Sequence, residues 1–176
     1  IAMRMLAEER RTGTLEWLLT KPLSEWDIVL GKWLAGMLLV FLAILPTVVY
    51  AISLYQLGNP VGNLDLGSTL GSYVGLFFLA SVYLSISLFT SAITDNQIVA
   101  FVLGLLLCLF IYAGFDQLAA LSVLKDQGLF IMRLGISEHY TSISRGVLDS
   151  RDLVYFLGTS LLFLGAARTA LQSRNW

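Results

Sequence analysis

Four long apolar stretches constrain this chain more than any other feature. A bilayer-spanning helix needs roughly 17–25 mostly apolar residues. Residues 26–57, 69–93, 98–115 and 153–170 each supply such a run. The expected fold class is an all-α membrane protein, a polytopic helical bundle forming one transmembrane domain over 1–176. Composition agrees: 57% of residues are hydrophobic and 13% are charged, against roughly 25% charged in soluble domains. The net charge of −1 offers no basic face for nucleic acid. The lone Cys108, in the run LLLCLFIY, excludes a disulfide framework or a cysteine zinc site and reads as a small packing residue. The chain opens on Ile1 without a charged region followed by a short apolar one. It is therefore expected to lack a signal peptide and to begin inside a longer protein.

Local signals punctuate the spans. Ser24, with Glu25 and Asp27 behind it, predicts a capping box at the start of the first. Pro46 predicts a kink within it. The loop GNPVGNLDLG precedes the second span. Gly67, Gly71 and Gly75 share one face there, as do the pairs Ser81/Ser85 and Ser87/Ser91. Small residues at this spacing let helices approach closely in lipid. Packing within the chain is the favoured reading, ahead of a dimer interface or a substrate path. Thr94-Asp95-Asn96 predicts a tight turn, and Ala100, Gly104 and Cys108 a small face on the third span. Residues 116–151 predict two or three short amphipathic helices, interfacial or partly re-entrant. Ile136, Tyr140, Ile143 and Val147 fit one face, with Ser137 as cap. Tyr155 and Phe156 fit an aromatic belt at one interface and Trp176 lies beyond the other. Arg168 is expected to reach out to the headgroups.

Lys and Arg set orientation. Arg4, Arg10, Arg11, Lys21, Lys32, Arg168 and Arg174 fall on one side, and Lys125, Arg133, Arg145 and Arg151 on the other. The excess places 8–25 and the C-terminus in the cytoplasm, with 58–68 and 116–151 outside.

Catalytic signals are sparse. There is no HExxH, GxSxG or GxxxxGK[ST] in the sequence. His139 is its only histidine, and adjacent Glu138 diverges from it on a helix. Asp95, Asp116 and Asp152 all lie at span ends, which argues against ion coupling. No cofactor is expected, and any energy source belongs to a partner.

Attention then falls on 8–25. Glu8, Glu9, Arg10 and Arg11 form a charged cluster, Gly13 permits a turn, and Thr12 or Thr14 can cap a short helix. Leu15, Leu18 and Leu19 make an apolar stripe, with Trp17 beside it and Glu16 on the polar side. Lys21-Pro22 ends it. Periodicity leaves a topogenic anchor and a docking helix equally open.

The string MRMLAEERRTGTLEWLLTKPLSEWDIVLGKWLAG closely resembles the segment between the second and third membrane helices of type-2 ABC exporter permeases. SEHYTSISRGVLDSRDLVYFL, at 137–157, resembles the stretch before the last helix of that family. With the ending LQSRNW, the likeness is greatest to permeases of gliding-motility-associated bacterial exporters. The resemblance implies six membrane helices in the whole protein, of which this fragment holds four in full. It also implies a permease dimer, homo- or heteromeric, in the bacterial inner membrane, with two cytoplasmic ATPase subunits that bind the ATP. Gly13–Thr20 would be the coupling helix, anchored by Leu15, Trp17, Leu18 and Leu19, with Thr14, Glu16 and Thr20 inside it and Glu8–Arg11 at its border. The short helices of 116–151 would cover the outer face. Two other readings compete: a membrane anchor or assembly protein that recruits a cytoplasmic partner, and a membrane enzyme using Glu138, His139 or Asp149.

Overall fold

A computed structural model describes residues 2–14, 24–120 and 128–173. Every regular element among them is helical. A short α1 spans Ala7–Arg11, α2 spans Glu25–Ile44, and α3 spans Val48–Leu57. The long α4 runs Leu66–Ile93, followed by α5 at Gln97–Leu109 and α6 at Phe115–Ala119. Two short helices come next, α7 at Gly128–Met132 and α8 at Ile136–Ser144. The last is α9, Ser150–Gln172. Four helical stretches are long and apolar enough to span a membrane: 25–57, 66–93, 97–119 and 150–172.

Local chemistry sets the boundaries. The Ser24 hydroxyl accepts from the Asp27 amide at 3.3 Å, and the Asp27 carboxylate accepts from the Ser24 amide at 2.9 Å. This reciprocal box satisfies two of the donors that a helix start leaves free. Asp65, Asn96 and Asp149 cap α4, α5 and α9 through one-way bonds, their side-chain oxygens accepting from the amides of Ser68, Ile98 and Arg151. Pro46 lacks an amide hydrogen, and the chain tightens to a 3₁₀ turn at Leu45–Thr47 between α2 and α3. Beside this break the Thr47 carbonyl accepts from the Tyr73 hydroxyl at 2.8 Å. The third span carries a π-helical turn at Phe110–Gly114, which the sequence pattern did not suggest.

The centre of the bundle is α4, which packs on α9, α5, α8 and α2. Half of its most apolar stretch is buried, against 6% for the first span, so α4 is core and α2–α3 is rim. Two clusters pack against it, one at its C-terminal end and one along its middle. One gathers Leu6, Ile28, Val29, Leu88, Ala92, Leu164 and Leu171. The other gathers Val82, Ile86, Ile111, Ile136, Ile143 and Phe156. Phe156 is fully buried and lies 6.1 Å from the Phe78 ring, so it is a core residue rather than part of an aromatic belt.

The small face of α4 admits its neighbours. Ser81 and Ser160 hydroxyls meet at 2.9 Å between α4 and α9. The glycine face receives α8. A β-carbon on Gly71 would collide with the Ile143 carbonyl oxygen and lie 2.8 Å from the Gly146 α-carbon. One on Gly75 would lie 3.2 Å from the Ile143 side chain and 3.3 Å from Tyr140. Gly67 contributes backbone: a β-carbon on Gly146 would come within 2.7 Å of its carbonyl carbon. Ser68 and Ser72 both donate to the Ser144 carbonyl, at 3.0 and 3.3 Å.

Two local expectations fail here. Ser137 does not cap α8. Gly135 holds the cap position without a side-chain bond, and the Ser137 hydroxyl donates to the Asp116 carboxylate instead. A strong acceptor from another element outcompetes the local amide. Val147 lies past the helix end, after Gly146 turns the chain at φ +85°, and is exposed.

Gly71→Ala should destabilise the protein by about 1–3 kcal/mol, because the opposing atoms are backbone and cannot rotate away. Gly158→Ala, where no atom lies within 4 Å of the new methyl, should be neutral or stabilising by up to ~1 kcal/mol. Chemical denaturation in mixed micelles compares the two. Equal effects would refute the backbone contact.

Candidate functional site: the polar segment and its anchors

The described residues that flank 15–23, α1 on one side and the start of α2 on the other, lie at the same end of the bundle. The chain leaves α1 for 15–23, and a serine from another helix holds the start of α1. The Ser91 hydroxyl accepts from the amides of Leu6 and Ala7 at 3.1 and 2.9 Å, and donates to the Met3 carbonyl at 3.1 Å. Helix starts leave amides free. Here α4 supplies the acceptor, so a polar start can be buried: Leu6, Ala7 and Ser91 are all sealed from solvent.

The second anchor is ionic. Lys32, two turns into α2, reaches the Glu9 carboxylate at 2.5 Å, with the two side chains 18% and 29% exposed. The other Glu9 oxygen, Oε2, is buried and has no hydrogen-bond partner among the described residues. Glu8 and Arg11 are exposed, while the side chain of Arg10 lies outside the described residues. Charges at Glu8 and Glu9 fall in the first turn of α1, where a negative charge complements the helix dipole.

Departure itself is a turn at Gly13, whose φ is +72°. No atom lies within 4 Å of where a β-carbon would sit. Glycine is therefore required by backbone conformation there, not by crowding. Thr12 donates to the carbonyls of Glu8 and Glu9 at 2.9 and 3.3 Å, and Thr14 to that of Glu9 at 3.3 Å. The threonine hydroxyls thus close the end of α1. Leu15, Glu16, Trp17, Leu18, Leu19 and Thr20 lie outside the described residues, as does the proposed coupling helix they would form.

Return is at Ser24. Trp26, in the first turn of α2, lies under the Arg168 guanidinium, whose Cζ is 5.2 Å from the indole ring centroid. Arg168 is half-buried, and its Nε has no hydrogen-bond partner among the described residues. Its guanidinium packs on an aromatic face. Gln172 adds a long contact to Glu25 at 3.4 Å. The ends of α1, α2 and α9 thus meet at one end of the bundle. At the other end, α8 and the start of α9 meet, and this second constellation was not visible in the sequence. His139 pairs with Asp152, thirteen residues away, at 2.6 Å. No group of metal-ligating side chains is found among the described residues.

A family model described as ABC-2 family transporter protein matches residues 1–171. The chain belongs to the ABC-2 family. It is thus a multi-pass membrane component of an ABC transporter, and the polar segment described above lies within the matched region. No curated protein and no solved structure matches it.

Ser91→Ala removes the acceptor shared by two buried amides. It should cost about 1–3 kcal/mol and expose the amides of 2–11 to hydrogen exchange. Unchanged protection there would show that Ser91 does not hold this ABC-2 chain's first helix.

Proposed function

We propose that this ABC-2 chain is the permease subunit of an ATP-driven bacterial exporter, in the inner membrane, whose polar segment receives force from a cytoplasmic ATPase. The observation that carries this reading is the tethering of 8–32. The described residues on either side of 15–23 are fixed to the bundle through Ser91 and the Glu9–Lys32 pair on departure, and through Trp26–Arg168 on return. A loop used only for topology needs no such double anchorage. A loop that transmits a push does, because slack would dissipate the displacement.

In this reading, ATP binding closes two partner ATPases around Gly13–Thr20. The short helix moves as a rigid body and tilts α2 and α4. The break at Pro46 is the point that absorbs the motion. The permease binds no ATP and pairs with a second permease, identical or related. The resemblance of 137–157 and of the final residues supports a gliding-motility-associated exporter. The excess of Lys and Arg supports a cytoplasmic location for the polar segment.

Gly13→Pro places a ring that fixes φ near −65° where the chain needs +72°. It should abolish permease-stimulated ATP hydrolysis by the co-purified ATPase while membrane insertion stays intact. Gly13→Asn, which tolerates positive φ, should retain most of the stimulation. Normal stimulation in a well-folded Gly13→Pro variant would sink the coupling role.

A further inference from the structure

We infer that α8 is latched to the last span by a shared proton, so that docking of this outer layer depends on pH. The His139 ring faces an acceptor at each nitrogen. Nδ1 is 2.6 Å from an Asp152 carboxylate oxygen, and Nε2 is 2.9 Å from the Arg133 carbonyl oxygen. A carbonyl only accepts, and so does an ionised carboxylate, while a neutral imidazole has a single N–H to give. Filling both contacts takes one proton more than a neutral ring and a bare carboxylate hold between them. That proton is required whether it resides on the ring or on Asp152.

The site is built to hold the ring. Tyr155 stacks on it, with centroids 4.0 Å apart and planes 20° from parallel. The Tyr155 hydroxyl donates to the Leu134 carbonyl at 2.6 Å, tying the turn before α8 to α9. The His139 and Asp152 side chains are 15% and 10% exposed. The second Asp152 oxygen is buried without a partner among the described residues, so His139 is the carboxylate's one side-chain contact there, beside the favourable field of the α9 start, in whose first turn it lies.

Other charges around α8 lie elsewhere. The helix α4 carries no charged residue. From the end of the third span comes Asp116, engaged by Ser137. Together with Glu138 and Arg145 it lines a separate cleft of about 490 Å³. Arg133, Asp149 and Arg151 are exposed. The phenols Tyr83, Tyr112 and Tyr140 pack against the cluster that holds Ile136, Ile143 and Phe156. Of the remaining contacts that dock α8, those at Gly71 and the Ser144 carbonyl involve no titratable group, and the one at Gly75 brings only the Tyr140 phenol ring.

The sign follows from proton count. The docked layer holds a proton that the undocked one has no partner to retain, so docking takes up a proton. Acid favours the docked layer and rising pH releases it. This latch is independent of ATP coupling and stands or falls separately from it.

Amide hydrogen exchange on the full chain in nanodiscs, corrected for the intrinsic pH dependence of exchange, tests it between about pH 5.5 and about pH 9. Protection of 136–144 should fall about tenfold or more as pH rises, while 81–91 stays constant. His139→Gln and Asp152→Asn should each flatten that response. A flat wild-type profile, or the same response in His139→Gln, overturns the latch. If either variant loses protection at 81–91 as well, the wild type decides alone. Its ¹⁵N-histidine signal, assigned by its absence in His139→Gln, must lose a proton over the pH range in which 136–144 opens. Opening without that change overturns the latch too.

Discussion

The close approach of helices to the small face of α4 is the constraint on which the bundle rests. In hydrocarbon there is no water to drive apolar surfaces together, so helices associate through tight packing and hydrogen bonds. Gly71, Gly75, Ser81, Ser85 and Ser91 supply both along one helix. Ser81 bonds α9 while its carbonyl accepts from Ser85 at 2.8 Å and from the Trp33 indole at 3.3 Å. Ser91 holds α1, and the glycines seat α8. Large apolar residues at those positions would satisfy a hydropathy scan and still hold the neighbouring helices apart.

This arrangement divides the molecule lengthwise into two working ends. At one, Ser91 and the Glu9–Lys32 pair fasten a charged segment to an otherwise apolar body. At the other, α8 lies across α4 and α9 as a separate layer. Between them, α4 and α9 share an extensive contact that includes the ring pairs Phe78–Phe156 and Phe89–Phe163, at 6.1 and 5.9 Å. A displacement entering at the polar segment therefore meets a stiff pair of helices before it meets the outer layer.

The parts of this fold that were legible in the sequence are the local ones. The capping box at Ser24 and Asp27, the turn at Gly13 and the break at Pro46 depend on residues a few positions apart. Apolar length alone marked the four spans, and the family likeness of the opening string agrees with the family to which the chain belongs. What escaped depends on distant partners. Nothing near His139 in sequence announces Asp152, because their pairing requires α8 to fold back along α9. Ser137 looked like a cap until Asp116 came within reach from the end of the third span. Ser91 read as one more small residue, though it closes the start of a helix 84 residues away. Phe156 looked interfacial because it follows Tyr155, yet adjacent helical residues point in different directions, one to the His139 ring and one into the core.

The meeting of Gly71 with Ile143 and Gly146 has a mechanical consequence. Side chains yield under load by changing rotamer, which gives most helix contacts some compliance. Here the touching atoms are main chain, with no rotamers to spend. The outer layer consequently has little room to slide along α4 by small amounts. It either occupies its notch or leaves it, which makes this contact behave like a detent rather than a spring.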